Sequence, residues 1–229
     1  ACDSASLLVS ISTSALVSSF SVLRSRCAMS LRKASSNPWL ACLTRSRSVF
    51  GSIIKLLGSE MARFGIETTF VSQTDVTEWK SAMRPNTKLL IAETPTNPLT
   101  DVCDIQALAD IAHEGGALLV VDNCFCSPAL QRPMRFGAGV VLHSATKYLD
   151  GQGRVIAGAL CASQALIEER ILPVQRSAGI SISPFNAWVV LKGLETLNLR
   201  MKAQSEQALA LAQWLESHPS VERVYYPGL

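Results

Sequence analysis

The chain has 229 residues, 48% hydrophobic and 17% charged, a globular composition that argues against intrinsic disorder. Its net charge of +3 is uneven: residues 1–50 carry six cations and one anion, and the other 179 carry 15 cations and 17 anions, so no basic surface marks the main body as a nucleic-acid binder. Seven cysteines, without a CxxC pair or a nearby His at zinc spacing, argue against a disulfide framework or a structural metal and place the chain in a reducing, cytoplasmic setting.

The first segment differs from the rest. All 13 glycines lie at or after Gly51, and 14 of the first 50 residues are serine. A folded α/β unit of that length needs turns, and turns draw on Gly, Asn or Asp; here only Asn37-Pro38 is available. A transit peptide would be Ser- and Arg-rich and poor in acid. A membrane segment over Ala5–Leu23 is interrupted by seven serines and a threonine and has no preceding cation. A non-native, frame-shifted stretch accounts best for the abrupt change near Ser46. The expected division is 1–45 as an atypical segment, 46–217 as the main domain, and 218–229 as the start of a further, truncated domain.

From residue 50 onward strand and helix signals alternate. Ser52–Phe64 predicts a helix ending at Gly65, and Ile66–Val71 a strand. Val76–Met83 predicts a short helix stopping before Pro85, and Lys88–Ala92 a strand closed by Thr94-Pro95-Thr96-Asn97-Pro98. Asp104 can cap a helix through His113, ended by Gly115-Gly116. Ala117–Val121 is an apolar run of the kind found in buried parallel strands, ending at Asp122. Val140–Leu142 predicts the next strand, followed by His143-Ser144-Ala145-Thr146-Lys147. Val155–Cys161 predicts another strand. Ser183-Pro184 opens a long helical region to about Ser217, with a break near Gly193, and Val221–Tyr226 predicts a last strand. This alternation gives an α/β fold, a mostly parallel sheet with helices on both faces.

In such sheets ligands bind beyond the carboxyl ends of the strands, which draws attention to Asn97, Asp122, Ser144, Thr146 and Lys147. Each has a bland reading: Asp122 as a turn residue, Lys147 as a surface cation, Cys124 and Cys126 as small buried thiols. Together, an acid and an amine at strand ends beside two hydroxyls suit a pyridoxal phosphate site. The amine binds the cofactor aldehyde, the carboxylate pairs with the pyridine nitrogen, and hydroxyls hold the phosphate. Neither GxxxxGK[ST] nor a GxGxxG after a strand is present, which disfavours nucleotide binding. His113 and His143 lack ligand companions, so no metal is expected.

The segments Glu93–Pro98, Val120–Asn123, His143–Leu149 and Gly193–Leu197, in that order, closely resemble the Cys/Met-metabolism family of pyridoxal-phosphate enzymes, which have the aspartate-aminotransferase (fold type I) architecture. The resemblance spans about residues 46–229. Within the family, Asp150-Gly151-Gln152-Gly153-Arg154 is most similar to the sulfhydrylases that act on O-succinylhomoserine; cystathionine synthases and lyases usually have His where Gln152 stands. The resemblance implies Lys147 as the Schiff-base lysine and proton carrier, Asp122 opposite the pyridinium nitrogen, Ser144 and Thr146 on the phosphate, Asn97 on the cofactor's phenolic oxygen, and Phe50 stacked where many relatives have Tyr. The implied reaction is γ-replacement on O-succinylhomoserine with sulfide, giving homocysteine, in a cytoplasmic dimer or tetramer with no membrane or nucleic-acid partner. Cystathionine γ-synthase or γ-lyase chemistry, or a non-catalytic oligomerisation module, are the alternatives. About half of the family pattern is covered. A Ser-Gly-Met type phosphate loop, an upstream Tyr-x-Arg segment and the carboxylate-clamping arginine of the C-terminal domain are unmatched, which predicts an incomplete large domain with weak or no activity and exposed apolar faces.

Overall fold

The computed structural model describes residues 51–229, together with the backbone of two strands at 8–11 and 39–44. A seven-stranded sheet runs in the order β1-β7-β6-β5-β4-β2-β3. Its strands are β1 (Leu8–Ile11), β2 (Trp39–Thr44), β3 (Ile66–Val71), β4 (Thr87–Glu93), β5 (Leu118–Asp122), β6 (Val140–Ser144) and β7 (Gly158–Ala162). The four pairings among β2 to β6 are parallel, and β7 runs antiparallel to both β6 and β1. Thus two strands come from the first fifty residues, one of them, β2, inserted between β3 and β4.

The expected helices form with small changes of boundary. Helix α1 (Gly51–Lys55) continues through a wider and then a tighter turn to Phe64, where Gly65 closes it at φ 77°, a conformation glycine adopts without a Cβ penalty. Helix α2 (Val76–Ala82) is capped by Asp75, which accepts from the Thr77 N–H. Helix α3 (Ile105–Glu114) is capped by Asp104, which accepts from the Ala107 N–H at 3.0 Å. Each such cap satisfies an otherwise orphaned donor. A short α4 (Ser127–Leu130) follows β5. Helices α5 (Gln164–Leu166) and α6 (Leu172–Ala178) flank a wide turn at Ile167–Ile171. The long C-terminal helical region is two helices, α7 (Pro184–Leu194) and α8 (Leu197–Glu216), broken beside Gly193 as the sequence predicts.

Period-two alternation along the central strands fills both faces. Leu119, Val121 and Val141 join Trp79 of α2 and Leu108 of α3 in one core. Val120 and Val140 join Ala162 and Ile167 in the other, with Leu142 packed against them. A third cluster, of Ala145, Leu149, Val189, Val190, Leu197 and Met201, packs the turn after β6 against α7 and α8. Burying each large side chain contributes about 1.5–3 kcal/mol, so the carboxyl ends of β5 and β6 are anchored from both sides.

Two expectations are corrected. Val221–Tyr226 is not a strand: its β-branched and aromatic residues fit an extended chain, but no ladder pairs its N–H and C=O groups among the described residues. The strand expected at Val155–Cys161 begins only at Gly158, because the Ala157 backbone is engaged with Thr146 rather than with a neighbouring strand.

Candidate cofactor site

Residues of β5 and β6 pair in parallel register, Asp122 opposite Leu142, and neighbouring strands lie about 4.8 Å apart. Asp122 is the last residue of β5 and Ser144 the last of β6. Both occupy the face that also carries Val120, Val140 and Leu142, by alternation. Lys147 lies three residues past Ser144, in a turn (Ala145–Leu149) in which it departs from helical geometry at φ −87°, ψ −119°. The fold therefore brings the acid and the amine to one end of two adjacent strands. The Lys147 side chain is exposed.

Asp122 is half-buried. Burial pushes its carboxyl above the ordinary value of 3.8, while the thiol and N–H of Cys124 pull it back down. The Cys124 N–H donates to Asp122 Oδ1 at 3.0 Å. The Cys124 sulfur also faces the Ser144 N–H at 2.7 Å. Burial, then the Asp122 charge, raises the thiol above its usual range, so Cys124 stays protonated at neutral pH. The acid is thus held by the segment that follows it.

Thr146 behaves differently from a free phosphate ligand. Its hydroxyl lies 3.3 Å from Ala157 O as donor and accepts the Ala157 N–H at 3.0 Å. Its own N–H donates to Ala157 O at 3.2 Å. With one proton per hydroxyl, a phosphate contact requires that proton to swing away from Ala157. Thr146 therefore braces the Lys147 turn onto the approach to β7. Asn97 lies half-buried in the loop after β4. That loop is fixed by Thr94 N–H to Asp122 O (3.3 Å), by Thr96 N–H to Asp101 O (3.0 Å) and by Asp101 N–H to Thr96 Oγ1 (2.9 Å). Phe50 lies outside the described residues.

On the far side of the turn stand two arginines. Asp150 is buried, and Arg154 closes on it from its backbone N–H (2.7 Å) and from Nε (2.8 Å). Burial alone would raise the Asp150 carboxyl; the hydrogen bonds and charge of Arg154 hold it below 3.8. Arg200 of α8 donates from Nη2 to Tyr148 O (2.9 Å) and to Gly193 O (2.8 Å), tying the residue after Lys147 to the junction of α7 and α8. Sequence reasoning missed Arg200, since a single arginine within a polar helix carries no periodic or motif signal. The brace at Thr146 and the Ser144–Cys124 contact were equally hidden, because both depend on chain segments that only the fold juxtaposes.

On the opposite face of the sheet, Asn123 donates to Gln131 O (2.9 Å) and Ser127 O (3.2 Å), and Gln131 donates to Asn123 Oδ1 (2.8 Å) and Thr94 O (3.1 Å). This network fixes the loops after β4 and β5 to each other. Among the described residues no group of His, Cys, Asp or Glu is arranged to hold a metal ion.

The donor set fits pyridoxal phosphate: an amine on one strand end, a carboxylate on the next, and the Ser144 and Asn97 side chains on the bordering segments. Comparison with known proteins agrees. O-succinylhomoserine sulfhydrylase of Pseudomonas aeruginosa is 55% identical over 184 residues, covering 80% of this chain and 45% of that protein. Cystathionine gamma-lyase of Bacillus subtilis is 43% identical over 180 residues, covering 79% of this chain and 48% of the relative. The chain thus spans about half the length of the curated relatives it matches. The crystal structure of metB from Corynebacterium glutamicum superposes with a TM-score of 0.84 at 34% identity, covering 97% of this chain and 55% of that one. The family model for the Cys/Met metabolism PLP-dependent enzymes matches residues 27–229, beginning further upstream than the motifs alone indicate, and the chain belongs to that family.

Proposed function

We propose that this chain carries the cofactor-binding part of an enzyme that performs γ-replacement on O-succinylhomoserine, with sulfide as nucleophile and homocysteine and succinate as products. The observation that carries the cofactor half of this reading is the placement of Asp122 and Lys147 at the carboxyl ends of adjacent parallel strands. Support for the substrate half comes from the Asp150–Arg154 segment, with Gln152 where cystathionine enzymes usually have His, and from the identity with a relative named as a sulfhydrylase.

When bound, pyridoxal phosphate supplies an electron sink for charge developing on the substrate's α-carbon. The protein's part is positional and proton-handling. The Lys147 amine would hold the cofactor and then carry a proton between substrate carbons, a task suited to a mobile primary amine. The Asp122 carboxylate would face the ring nitrogen. The Ser144 hydroxyl would hold phosphate oxygen and the Asn97 side chain the phenolic oxygen, with Thr146 joining only by releasing Ala157. Stacking by Phe50 belongs to the same proposal. We also assign the intact protein to the cytoplasm as a homodimer or homotetramer. Exposed Phe185, Trp188 and Leu191 on α7 support a partner surface, and among the described residues no helix is long and apolar enough to cross a membrane.

Adding pyridoxal phosphate to the purified chain is expected to produce the visible absorbance band of a lysine-bound cofactor, absent in Lys147→Ala. Persistence of the band in that variant would refute the assignment. Product analysis then separates the chemistries: homocysteine from O-succinylhomoserine and sulfide supports the sulfhydrylase, whereas cystathionine formed with cysteine, or a keto acid released without a nucleophile, supports the synthase or lyase alternative. No spectral change and no turnover would leave a non-catalytic module.

A further inference from the structure

We propose that Arg200 is a positioning residue for Lys147, its guanidinium fixing the backbone of the Lys147 turn against the junction of α7 and α8. The functional consequence rests on the cofactor reading above.

The bland alternative is a clasp between two helices, and part of the geometry serves that end. Arg200 Nε donates to Thr196 Oγ1 at 3.0 Å, and Nη2 donates to Gly193 O at 2.8 Å. A helix clasp needs no more than these. The same Nη2 also donates to Tyr148 O at 2.9 Å, 52 residues away along the chain and one residue past Lys147. One nitrogen thus spans a carbonyl of the turn and a carbonyl of the helix end, and the rigid fork of the guanidinium sets the distance between them. Two glycines admit the arrangement. A Cβ on Gly193 would meet Leu149 O and Asp150 O, so α7 ends against the bare backbone of the turn. A Cβ on Gly151 would meet the guanidinium at Nη1, Cζ and Nη2, so the group rests on the backbone just after the turn. Nη1 is buried there without a hydrogen-bond partner among the described residues, an unfavourable condition that a simple clasp avoids by turning outward. Lys147 itself departs from helical geometry, so regular helical bonding does not set the course of the chain at this point, and contacts from outside the turn must.

The test uses the purified 229-residue chain as wild type, Arg200→Met, Arg200→Lys and Thr196→Val. Met keeps a long stem without donors, Lys keeps a charged donor for the carbonyls, and Thr196→Val removes the helix clasp at Nε without touching Tyr148. The first readout, amide hydrogen exchange by NMR, needs no cofactor. The N–H groups of Asp150 and Gly151, which close the turn onto Ala145 O and Lys147 O, are expected to exchange about tenfold faster in Arg200→Met, with Val121 and Val141 of the central strands unchanged. No acceleration, or an equal acceleration at all four residues, overturns the local hold on the turn. The second readout is pyridoxal phosphate affinity by absorbance titration. Arg200→Met is expected to bind about tenfold more weakly than wild type, Arg200→Lys about threefold more weakly, and Thr196→Val within experimental error of wild type. Should Arg200→Met fail to fold, the contrast between Arg200→Lys and Thr196→Val decides. Equal losses in those two variants, or no loss in either Arg200 variant, overturn the positioning role and leave a helix clasp. A wild-type chain that shows the local exchange effect but takes up no pyridoxal phosphate overturns the cofactor reading and the functional consequence with it.

Discussion

His143 offers a stability prediction that depends on no cofactor. It is buried on β6, on the sheet face opposite Asp122, and its Nδ1 has no partner among the described residues. Burial lowers its pKa from 6.5 to about 4. The folded chain therefore refuses a proton that the unfolded chain accepts between those values. Stability from the neutral imidazole is complete above pH 6.5 and is lost progressively as the pH falls towards about 4. A displacement of about 2.5 units at about 1.4 kcal/mol per unit amounts to about 3 kcal/mol. His143→Gln keeps a polar side chain of similar size but does not titrate. Urea unfolding of both proteins across this pH range, with unfolding free energies subtracted, removes the contribution of groups they share. The difference is expected to be flat above pH 6.5 and then to move by about 3 kcal/mol against the wild type by about pH 4. A difference that stays within about 1 kcal/mol throughout would refute the assignment of a buried neutral imidazole.

Other substitutions test the surroundings of the turn. Asp122→Asn is expected to stabilise the cofactor-free chain at neutral pH by on the order of 1 kcal/mol, because it removes a half-buried charge. The Asp122 carboxyl is raised above 3.8, so this gain should shrink as the pH falls through the folded value towards 3.8, as urea titrations at several pH values would show. Gly193→Ala places a methyl group against backbone: its Cβ would sit 2.5 Å from Asp150 O and 2.7 Å from Asp150 Cα, and also against Leu149 O. A loss of about 3 kcal/mol in chemical denaturation is expected, since backbone cannot swing aside as a side-chain tip can. Arg154→Ala leaves the buried Asp150 carboxylate without its ion pair, at an expected cost of about 2 kcal/mol, discounted because the arginine is 39% exposed. Asp150 lies below 3.8 in the folded chain, so its paired stability is present above 3.8 and fades in acid. The wild-type advantage over Arg154→Ala should shrink on acidification through that range.

Much of this architecture was legible because the governing forces are local. Ile66–Val71 was placed with its observed boundaries, since β-branched residues between Gly65 and a polar stretch leave few alternatives. Asp104 and Gly115 bracketed α3 through capping chemistry that does not depend on the rest of the fold. The failures have a common origin in partners distant along the chain. Val155–Ala157 has strand composition, but Thr146, eleven residues upstream of Ala157, takes both backbone groups of Ala157. Val221–Tyr226 has β-branched and aromatic residues but finds no ladder among the described residues. Asp122 and Lys147 could be named from strand ends and motifs, whereas Arg200 holds the turn around Lys147 through a contact 52 residues along the chain that no local pattern encodes.

The distribution of these contacts also bears on how a lysine in a non-helical turn would be held with the precision that the proposed covalent cofactor site demands. Lys147 is exposed, and among the described residues no hydrogen bond or ion pair holds its amine. The constraint comes from the backbone around it. Thr146 is pinned to Ala157 on one side, and Tyr148 O is held by Arg200 on the other. The turn closes on itself through Asp150 N–H to Ala145 O (3.0 Å) and Gly151 N–H to Lys147 O (2.8 Å). Ala145 and Leu149 are packed in the core beneath. A rigid backbone carrying a mobile side chain suits the role proposed for Lys147, since the amine can swing between positions while its anchor does not.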